Sequence, residues 1–343
     1  MIFPDMGMSA AHLHVLRERL LALLAPLPPY LRADVERALK SQGKLLSSPL
    51  NELSSTHVGV WPKLTLQVAL MIFPDVDLHY ASAVALSMEC FVCALDLLDD
   101  VEDNDRTPII EEMNIPRVLN VSTALLALVQ KALDPLTNNL TLLSRIQRAI
   151  RDALLKATGG QHLDLLAEQQ SFDTLTDEQC IEKCIEIAAG KAGAIMALAF
   201  ELGALVGGAS DPLVQLCVET GRLAGISFQL KNDCHDFSDY ITASRDQQEM
   251  KLLVKTDVER QKKTLPLVLA HRLLRDTPAA DTKEQKAELF SAGFVAAWAI
   301  RLLQIDYVRE HLAKIEMQRP IPPFLRILLD VEATEPNEEG NCE

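Results

Sequence analysis

The chain has 343 residues, of which 48% are hydrophobic, 24% charged and 5% aromatic, and its formal net charge is −15. This apolar content excludes a disordered chain, and the acid excess excludes a free-standing nucleic-acid binder, which needs a basic surface. The scarcity of aromatic residues and glycine argues against an all-β sandwich or barrel. We therefore expect a globular protein with ample apolar mass for its core.

Apolar residues recur at helical spacing from the first segment onward, where Leu13, Leu16 and Leu20 lie three or four residues apart. Proline and glycine interrupt the pattern about every 20 to 30 residues, as expected of helix ends. The segments 81–98 and 190–206 are apolar around most of their circumference, which predicts buried central helices. We predict an all-α fold, with a single large helical bundle over residues 1–329 and an acidic, disordered tail over 330–343.

Targeting signals are missing from the sequence. Asp5 and Arg17 interrupt the N-terminal region, so it does not resemble a signal peptide. No run of about 18 uncharged apolar residues exists, which predicts no transmembrane segment. The seven cysteines are an odd number, and they indicate free thiols in the cytoplasm. The pairs Cys90/Cys93 and Cys180/Cys184 lie in helical contexts, so we interpret them as buried thiols rather than zinc ligands.

An acidic cluster follows the apolar segment 81–98, in the sequence CFVCALDLLDDVEDND. On a helix, Asp99 and Asp103 lie one turn apart with Asp100 beside them. Anions are disfavoured at the C-terminal turn of a helix, so the set needs a compensating charge. Oxygen-rich carboxylate sets are what Mg²⁺ prefers, usually together with phosphate oxygens of a substrate. The alternative is an ordinary solvated acidic helix end.

A second acidic cluster closes the run GRLAGISFQLKNDCHDFSDY. Asn232 and Asp236 are one helical turn apart, and Asp233 and Asp236 share a face. His235 is interpreted as a bystander, because hard oxygen ligands surround it. If the two clusters face each other across a bundle, they form the mouth of an apolar cavity. That arrangement suits a substrate with a polyanionic head and an apolar tail.

Five motifs in order, over residues 55–270, resemble those of the trans-prenyl diphosphate synthases (polyprenyl synthetases), which have the class I isoprenoid synthase fold. Their residues are DDVED at 99–103 (DDxxD), Gly160-Gln161 with Asp164 (GQxxD), Lys191-Ala192-Gly193 (the Lys-Thr dipeptide), Phe228-Gln229 with 232–236 (FQxxDDxxD) and 262–266 (K-x-T-x-P). Asn232 replaces the first Asp of the second aspartate-rich motif, and Ala192 replaces the Thr.

The resemblance implies an all-α bundle of the isoprenoid synthase type with a central apolar cavity, and about three Mg²⁺ ions that bridge the aspartates to an allylic diphosphate. The implied metal ligands are Asp99, Asp100, Asp103, Asn232, Asp233 and Asp236. The implied diphosphate ligands are Gln161, Lys191, Gln229, Lys255 and Lys262. The implied catalytic residues are Asp99, Asp100, Asp103 and Lys191. The implied tail pocket is formed by Phe91, Ala94 and Leu95, which favours a C15 or C20 donor.

The sequence departs from the family pattern on the acceptor side. Members that elongate chains bind isopentenyl diphosphate through a GGKRxRP motif, a His or Gln on the first motif's helix, and an Arg pair after it. Here Lys63 takes the Arg position by spacing, Val92 takes the helix position, and only Arg106 follows the motif. A gapped alignment would instead place Lys44 or Arg106 at the acceptor.

We therefore predict a prenyltransferase that uses a different, unknown acceptor, similar to the ComQ-like pheromone prenyltransferases. The alternatives are a terpene synthase-like cyclase, a chain-elongating synthase and a noncatalytic helical subunit. The resemblance also implies a homodimer.

Overall fold

The computed structural model describes residues 10–47, 59–243, 257, 260–277 and 282–331. The described part of the chain contains thirteen α-helices and no strand, which confirms the predicted all-α fold. In chain order they are α1 (Ala10–Leu24), α2 (Pro29–Ser41), α3 (Val60–Ile72), α4 (Leu78–Glu102), α5 (Pro108–Met113), α6 (Ile115–Lys131), α7 (Leu140–Glu168), α8 (Asp177–Ala188), α9 (Ala194–Val206), α10 (Asp211–Ala243), α11 (Leu265–Asp276), α12 (Lys283–Glu316) and α13 (Pro323–Leu328).

The chain divides into two compact units, each assembled from three separate segments. The first unit comprises Met1–Asp152, Ala197–Gly221 and His311–Leu329. The second comprises Ala153–Met196, Arg222–Glu310 and Asp330–Glu343. The single domain over residues 1–329 stays a prediction.

The core of the first unit forms around α4. The side chain of Asp77 caps this helix by accepting a hydrogen bond from the backbone of His79 at 2.8 Å. Every residue from Ala81 to Ala94 is buried, and the helix packs against α3 and α6. This agrees with the prediction that 81–98 is a central helix, since a helix that is apolar all round must be covered on all sides.

We predicted one buried helix over residues 190–206. Only its first part, up to Met196, belongs to the second unit. The chain there makes a π turn at Ala189–Gly193 before it continues as α9. The apolar cluster of this unit includes Cys180, Cys184 and Leu230. The six cysteines among the described residues are all buried and unbridged, in agreement with the prediction of free thiols.

Three helical stretches in the described ranges are long and apolar enough to cross a membrane on length and composition alone: Leu78–Glu102, Asp177–Val206 and Gln285–Glu316. In the first two, 83% and 67% of the most apolar window is buried inside the protein, which accounts for their hydropathy. In the third, only 28% is buried. The absence of a transmembrane segment therefore stays a prediction.

The acidic tail predicted for 330–343 lies outside the described residues from position 332 onward. Asp330 and Val331 belong to a turn that follows α13, and Val331 is 5% exposed. The disordered tail over 330–343 stays a prediction. Packing of Val331 and the ion pairs of Asp330 hold this turn in place.

Candidate functional site

The first aspartate-rich motif lies at the C-terminal end of α4, in the first unit. Asp103 is the capping residue, and its backbone N–H donates to the carbonyl of Asp99 at 2.8 Å. Asp100 and Asp103 are buried, whereas Asp99 is half-buried. Three carboxylates therefore crowd a helix end whose dipole disfavours anions, as the spacing predicted.

The loop after α2 contacts the acidic face of α4 through three hydrogen bonds. The Gln42 amide donates to Oδ2 of Asp100 at 2.8 Å, and the backbone N–H of Leu45 donates to Oε1 of Glu89 at 2.6 Å. Between them, the Lys44 ammonium binds Oδ2 of Asp96 at 2.6 Å. Sequence reasoning missed these pairs, because their members are separated by 58, 44 and 52 residues respectively.

Lys44 is buried, with only 6% of its side chain exposed. Burial on its own would lower the pKa of Lys44, yet the nearby Asp96 and Glu89 outweigh burial and raise that pKa above its ordinary value. Burial also raises the pKa of Glu89 to about 7, although Lys44 acts in the opposite direction. Lys44 therefore carries a positive charge, and the carboxylate of Asp96 already balances that charge.

Lys63, the acceptor residue predicted by spacing, lies inside α3 and is 1% exposed. Burial lowers the pKa of Lys63 to about 8, against the opposing influence of Glu89. Val92, at the family's helix position, is also buried, whereas Arg106 is exposed. Lys44 reaches the acidic face of α4 through its ion pair with Asp96.

The predicted tail pocket lies on α4, where Phe91 and Ala94 are buried and Leu95 is half-buried. These three residues share the helix with the aspartate motif and precede it by one to two turns. The role of these side chains against a prenyl tail stays a prediction.

Glycines allow the helices around Lys191 in the second unit to cross at close range. A Cβ atom on Gly160 would lie 2.3 Å from the backbone carbon of Gly190, so α7 and the π turn cross at van der Waals contact. A Cβ atom on Gly225 would lie 2.3 Å from the backbone oxygen of Ala192, so α10 crosses the other side of that turn equally closely. The π turn, a feature often found at functional sites, thus carries Lys191 between α7 and α10.

Asp164 is the centre of the charged network in this unit. Its Oδ2 atom lies 2.9 Å from the Lys191 ammonium and 3.6 Å from that of Lys262. Lys262 also lies 3.3 Å from a carboxylate oxygen of Asp257. The structure thus brings together residues from the GQxxD, Lys-Thr and K-x-T-x-P motifs, which are far apart in sequence. Gln161 lies one turn before Asp164 on α7 and is half-buried.

The second aspartate-rich motif lies on α10, where Gln229 donates to Oδ1 of Asp233 at 2.9 Å. Burial, together with the nearby carboxylates of Asp257, Asp164 and Asp236, raises the pKa of Asp233 to about 7 against the opposing hydrogen bond from Gln229. A bound cation would relieve this unfavourable charge.

Asn232 is exposed and Asp236 half-buried. Lys255, predicted to bind diphosphate, lies outside the described residues.

The family model of the polyprenyl synthetases matches residues 30–291. The chain belongs to the polyprenyl synthetase family. This membership agrees with the resemblance drawn from the five motifs, and it covers α2 through the first part of α12.

Known proteins similar to the chain include prenyl diphosphate synthases and a prenyltransferase. The (2E,6E)-farnesyl diphosphate synthase of Mycobacterium bovis is 36% identical over 86 residues, which are 25% of this chain and 22% of that protein. The tryptophan prenyltransferase ComQ of Bacillus spizizenii is 26% identical over 190 residues, which are 55% of this chain and 58% of that protein. The crystal structure of a polyprenyl synthetase from Streptomyces coelicolor A3(2) superposes with a TM-score of 0.69 at 21% identity, covering 94% of this chain and 98% of that one.

The acidic residues of this family member fit Mg²⁺ in their chemistry. They offer carboxylate oxygens, and Asp233 is a buried carboxylate with the carboxylates of Asp257, Asp164 and Asp236 nearby. Within the described ranges, no three His, Cys, Asp or Glu side chains could hold a metal by themselves. Mg²⁺ usually binds through one or two carboxylates and completes its shell with water and substrate phosphates.

Replacing Gly190 by alanine will destabilise the protein by about 2 kcal/mol or more, because the added methyl group overpacks a backbone crossing. The new Cβ would lie 2.6 Å from the Cα of Gly160, and neither backbone can move without displacing a helix. Thermal unfolding of the variant measures the loss. Gly159→Ala is the matched control, since nothing lies within 4 Å of a Cβ there. Equal stability of the two variants would contradict the close crossing.

Proposed function

We propose that the chain is a Mg²⁺-dependent prenyltransferase that ionises an allylic prenyl diphosphate and transfers the prenyl group to an acceptor other than isopentenyl diphosphate. Family membership and the donor-side residues support the first half of this proposal. The ion pair between Lys44 and Asp96 supports the second half, and it is the observation that carries the choice of acceptor.

On the donor side, Lys191 and Lys262 share the carboxylate of Asp164. In our proposal both ammoniums also donate to the diphosphate and stabilise the negative charge that develops as the C–O bond breaks. The oxygens of each aspartate-rich motif would hold Mg²⁺, which would supply Lewis-acid stabilisation of the diphosphate oxygens. Apolar side chains such as Phe91 and Ala94 would keep water away from the carbocation.

On the acceptor side, a second diphosphate would carry about three negative charges, and burying it without paired cations costs several kcal/mol. Lys44 would have to leave Asp96 to pair with it, which exposes that carboxylate to a second anion. Gln42 is similarly engaged with Asp100. An acceptor with an uncharged nucleophile avoids both penalties, so we favour such an acceptor over isopentenyl diphosphate.

Removing the charge of Asp96 will create or enhance use of isopentenyl diphosphate. In Asp96→Asn, we expect the rate of isopentenyl incorporation to rise by about tenfold or more, because Lys44 gains a free positive charge. Isopentenyl diphosphate should also raise the unfolding temperature of this variant more than that of the unmodified protein. Asp134→Asn, which removes an exposed partner of Lys131, is the matched control. Elongation that is equally efficient with and without Asp96 would contradict the proposed block.

The experiment that tests the function is incubation with geranyl, farnesyl or geranylgeranyl diphosphate and Mg²⁺, with and without isopentenyl diphosphate. We expect diphosphate release with the C15 or C20 donor, and the pocket residues favour these over the shorter donor. Mass analysis separates the outcomes: a longer diphosphate indicates elongation, and a hydrocarbon or alcohol indicates cyclisation. No release from any donor, even with candidate nucleophiles such as indoles added, would overturn the enzymatic proposal.

Two further properties belong to this proposal. We place the enzyme in the cytoplasm, where the six buried, unbridged cysteines would stay reduced. We also propose a homodimer, as the family resemblance implies. Sedimentation of the purified protein measures the second property directly.

A further inference from the structure

A cluster of charges lies on the back of α10, behind the second aspartate-rich motif. Lys231 and Asp233 are two positions apart, so their side chains leave the helix in nearly opposite directions. On the Lys231 side, the cluster is completed by Arg301 from α12 and by Asp330 from the turn after α13. Lys231, Arg301 and Asp330 are not among the proposed ligands of the diphosphate or the metal.

The carboxylate of Asp330 binds both cations through the same oxygen. Its Oδ2 atom accepts a short hydrogen bond from Nη2 of Arg301 and lies 2.8 Å from the Lys231 ammonium. Asp330 has a φ of 55°, a left-handed conformation that Asp tolerates better than most residues. In this conformation, the carboxylate of Asp330 pairs with Lys231 of α10 and Arg301 of α12.

Arg301 connects this carboxylate to the backbone of α10. Its Nε atom donates to the carbonyl oxygen of Ser227 at 3.3 Å, and its guanidinium carbon lies 4.4 Å from the centre of the Trp298 ring. Ser227 is one helical turn before Lys231 and directly precedes the Phe228-Gln229 part of the motif. The bond therefore anchors the turn from which Gln229 reaches Asp233.

The cluster depends on Asp330 because Arg301 is buried. Only 1% of the Arg301 side chain is exposed, and its Nη1 atom has no hydrogen-bond partner among the described residues. In the described part of the chain, Asp330 is the carboxylate that pairs with it. A buried guanidinium without a counterion is strongly unfavourable, so loss of Asp330 would drive Arg301 away from Ser227 and Trp298.

We propose that Asp330 is a positioning residue for the second aspartate-rich motif. By holding Arg301 and Lys231, it fixes the Ser227–Asp233 turn of α10 and neutralises positive charge next to Asn232 and Asp233. This inference rests on the proposed function, since it assigns the turn a role in binding Mg²⁺ and diphosphate. It extends the site to a residue that is remote from the motif in sequence and that the family motifs do not include.

The test compares Asp330→Asn with Asp330→Glu and with the control Asp306→Asn, which removes an exposed carboxylate from α12. We expect Asp330→Asn to raise the Mg²⁺ concentration for half-maximal diphosphate release by about tenfold or more, as for other groups that support metal ligands. The rate at saturating Mg²⁺ should change much less. Asp330→Glu should recover most of the affinity, because it restores the charge.

Two measurements separate positioning from general loss of stability. Amide hydrogen exchange in the Ser227–Asp236 segment, measured without substrate, should become faster in Asp330→Asn and should respond less to added Mg²⁺. Adding Lys231→Met to Asp330→Asn should recover part of the Mg²⁺ affinity, since it removes one uncompensated cation. A merely structural role would lower the unfolding temperature and leave the half-saturating Mg²⁺ concentration unchanged.

The outcomes distinguish this inference from the proposed function. If the unmodified protein releases no diphosphate, the proposed function fails, and the exchange response to Mg²⁺ still decides whether Asp330 positions the turn. If the unmodified protein is active and Asp330→Asn has the same Mg²⁺ dependence and the same exchange rates, the inference about Asp330 alone is overturned. Equal effects of Asp330→Asn and Asp306→Asn would overturn it as well.

Discussion

Replacing Asp99 and Asp103 together by asparagine will reduce Mg²⁺-dependent diphosphate release by about a thousandfold or more, because both metal binding and leaving-group stabilisation are lost. The two carboxylates lie one turn apart at the end of α4, and Asp103 caps the helix. Asparagine keeps the shape and the hydrogen-bond acceptor but not the charge. Initial rates with farnesyl diphosphate over a range of Mg²⁺ concentrations measure the loss.

Glu102→Gln is the matched control for this prediction. Glu102 is the last residue of α4 and is exposed, so the substitution removes one negative charge from the same helix end without touching a proposed ligand. We expect its activity to stay within about threefold of the unmodified protein, since exposed charges are screened by solvent. If Glu102→Gln loses as much activity as the double variant, the loss comes from the lower negative charge at this helix end. Asp99 and Asp103 are then not specific metal ligands.

The elements of the fold were predictable where a pattern was local. The segment 81–98 is apolar all round, so burial on every side follows from its composition, and the structure buries Ala81–Ala94 completely. The segment 190–206 was predicted as one helix, but it begins with a π turn. The tight Gly160–Gly190 and Gly225–Ala192 crossings accompany that turn, and a single-sequence pattern does not contain these long-range constraints.

The sequence predicts those candidate site residues that belong to family motifs. It does not predict the candidate site residues that are set by pairing between distant side chains. The motif residues Lys191 and Lys262 were proposed from the sequence. In the structure, the ammonium groups of both lie near the same carboxylate oxygen of Asp164. On the acceptor side, spacing selected Lys63, which is buried inside α3. The partner of Lys44 is Asp96, 52 residues away, and side-chain pairing at that separation has no signature in the sequence.

The second large effect is expected at Lys191. Lys191→Met will lower kcat/KM for the allylic diphosphate by about a hundredfold to a thousandfold, because a preorganised cation facing the leaving group is lost. Methionine keeps most of the apolar length of the side chain, so packing of the π turn against α7 and α10 should survive. Steady-state kinetics with the C15 and C20 donors measure the change, and both kcat and KM should be affected.

Stability provides an independent readout of the same substitution. Lys191 and Asp164 are both largely buried, with 13% and 9% of their side chains exposed, so removing the lysine leaves a buried carboxylate that relies on Lys262 at 3.6 Å. We expect a loss of about 1 to 3 kcal/mol, less than for an isolated buried pair because Lys262 remains. Lys156→Met, on the exposed face of α7, should change neither quantity. Adding Asp164→Asn to Lys191→Met should restore stability without restoring activity, since it removes the buried carboxylate that has lost its nearer cation but supplies no new cation. Recovery of activity in that double variant would contradict a direct role of Lys191 in holding the diphosphate.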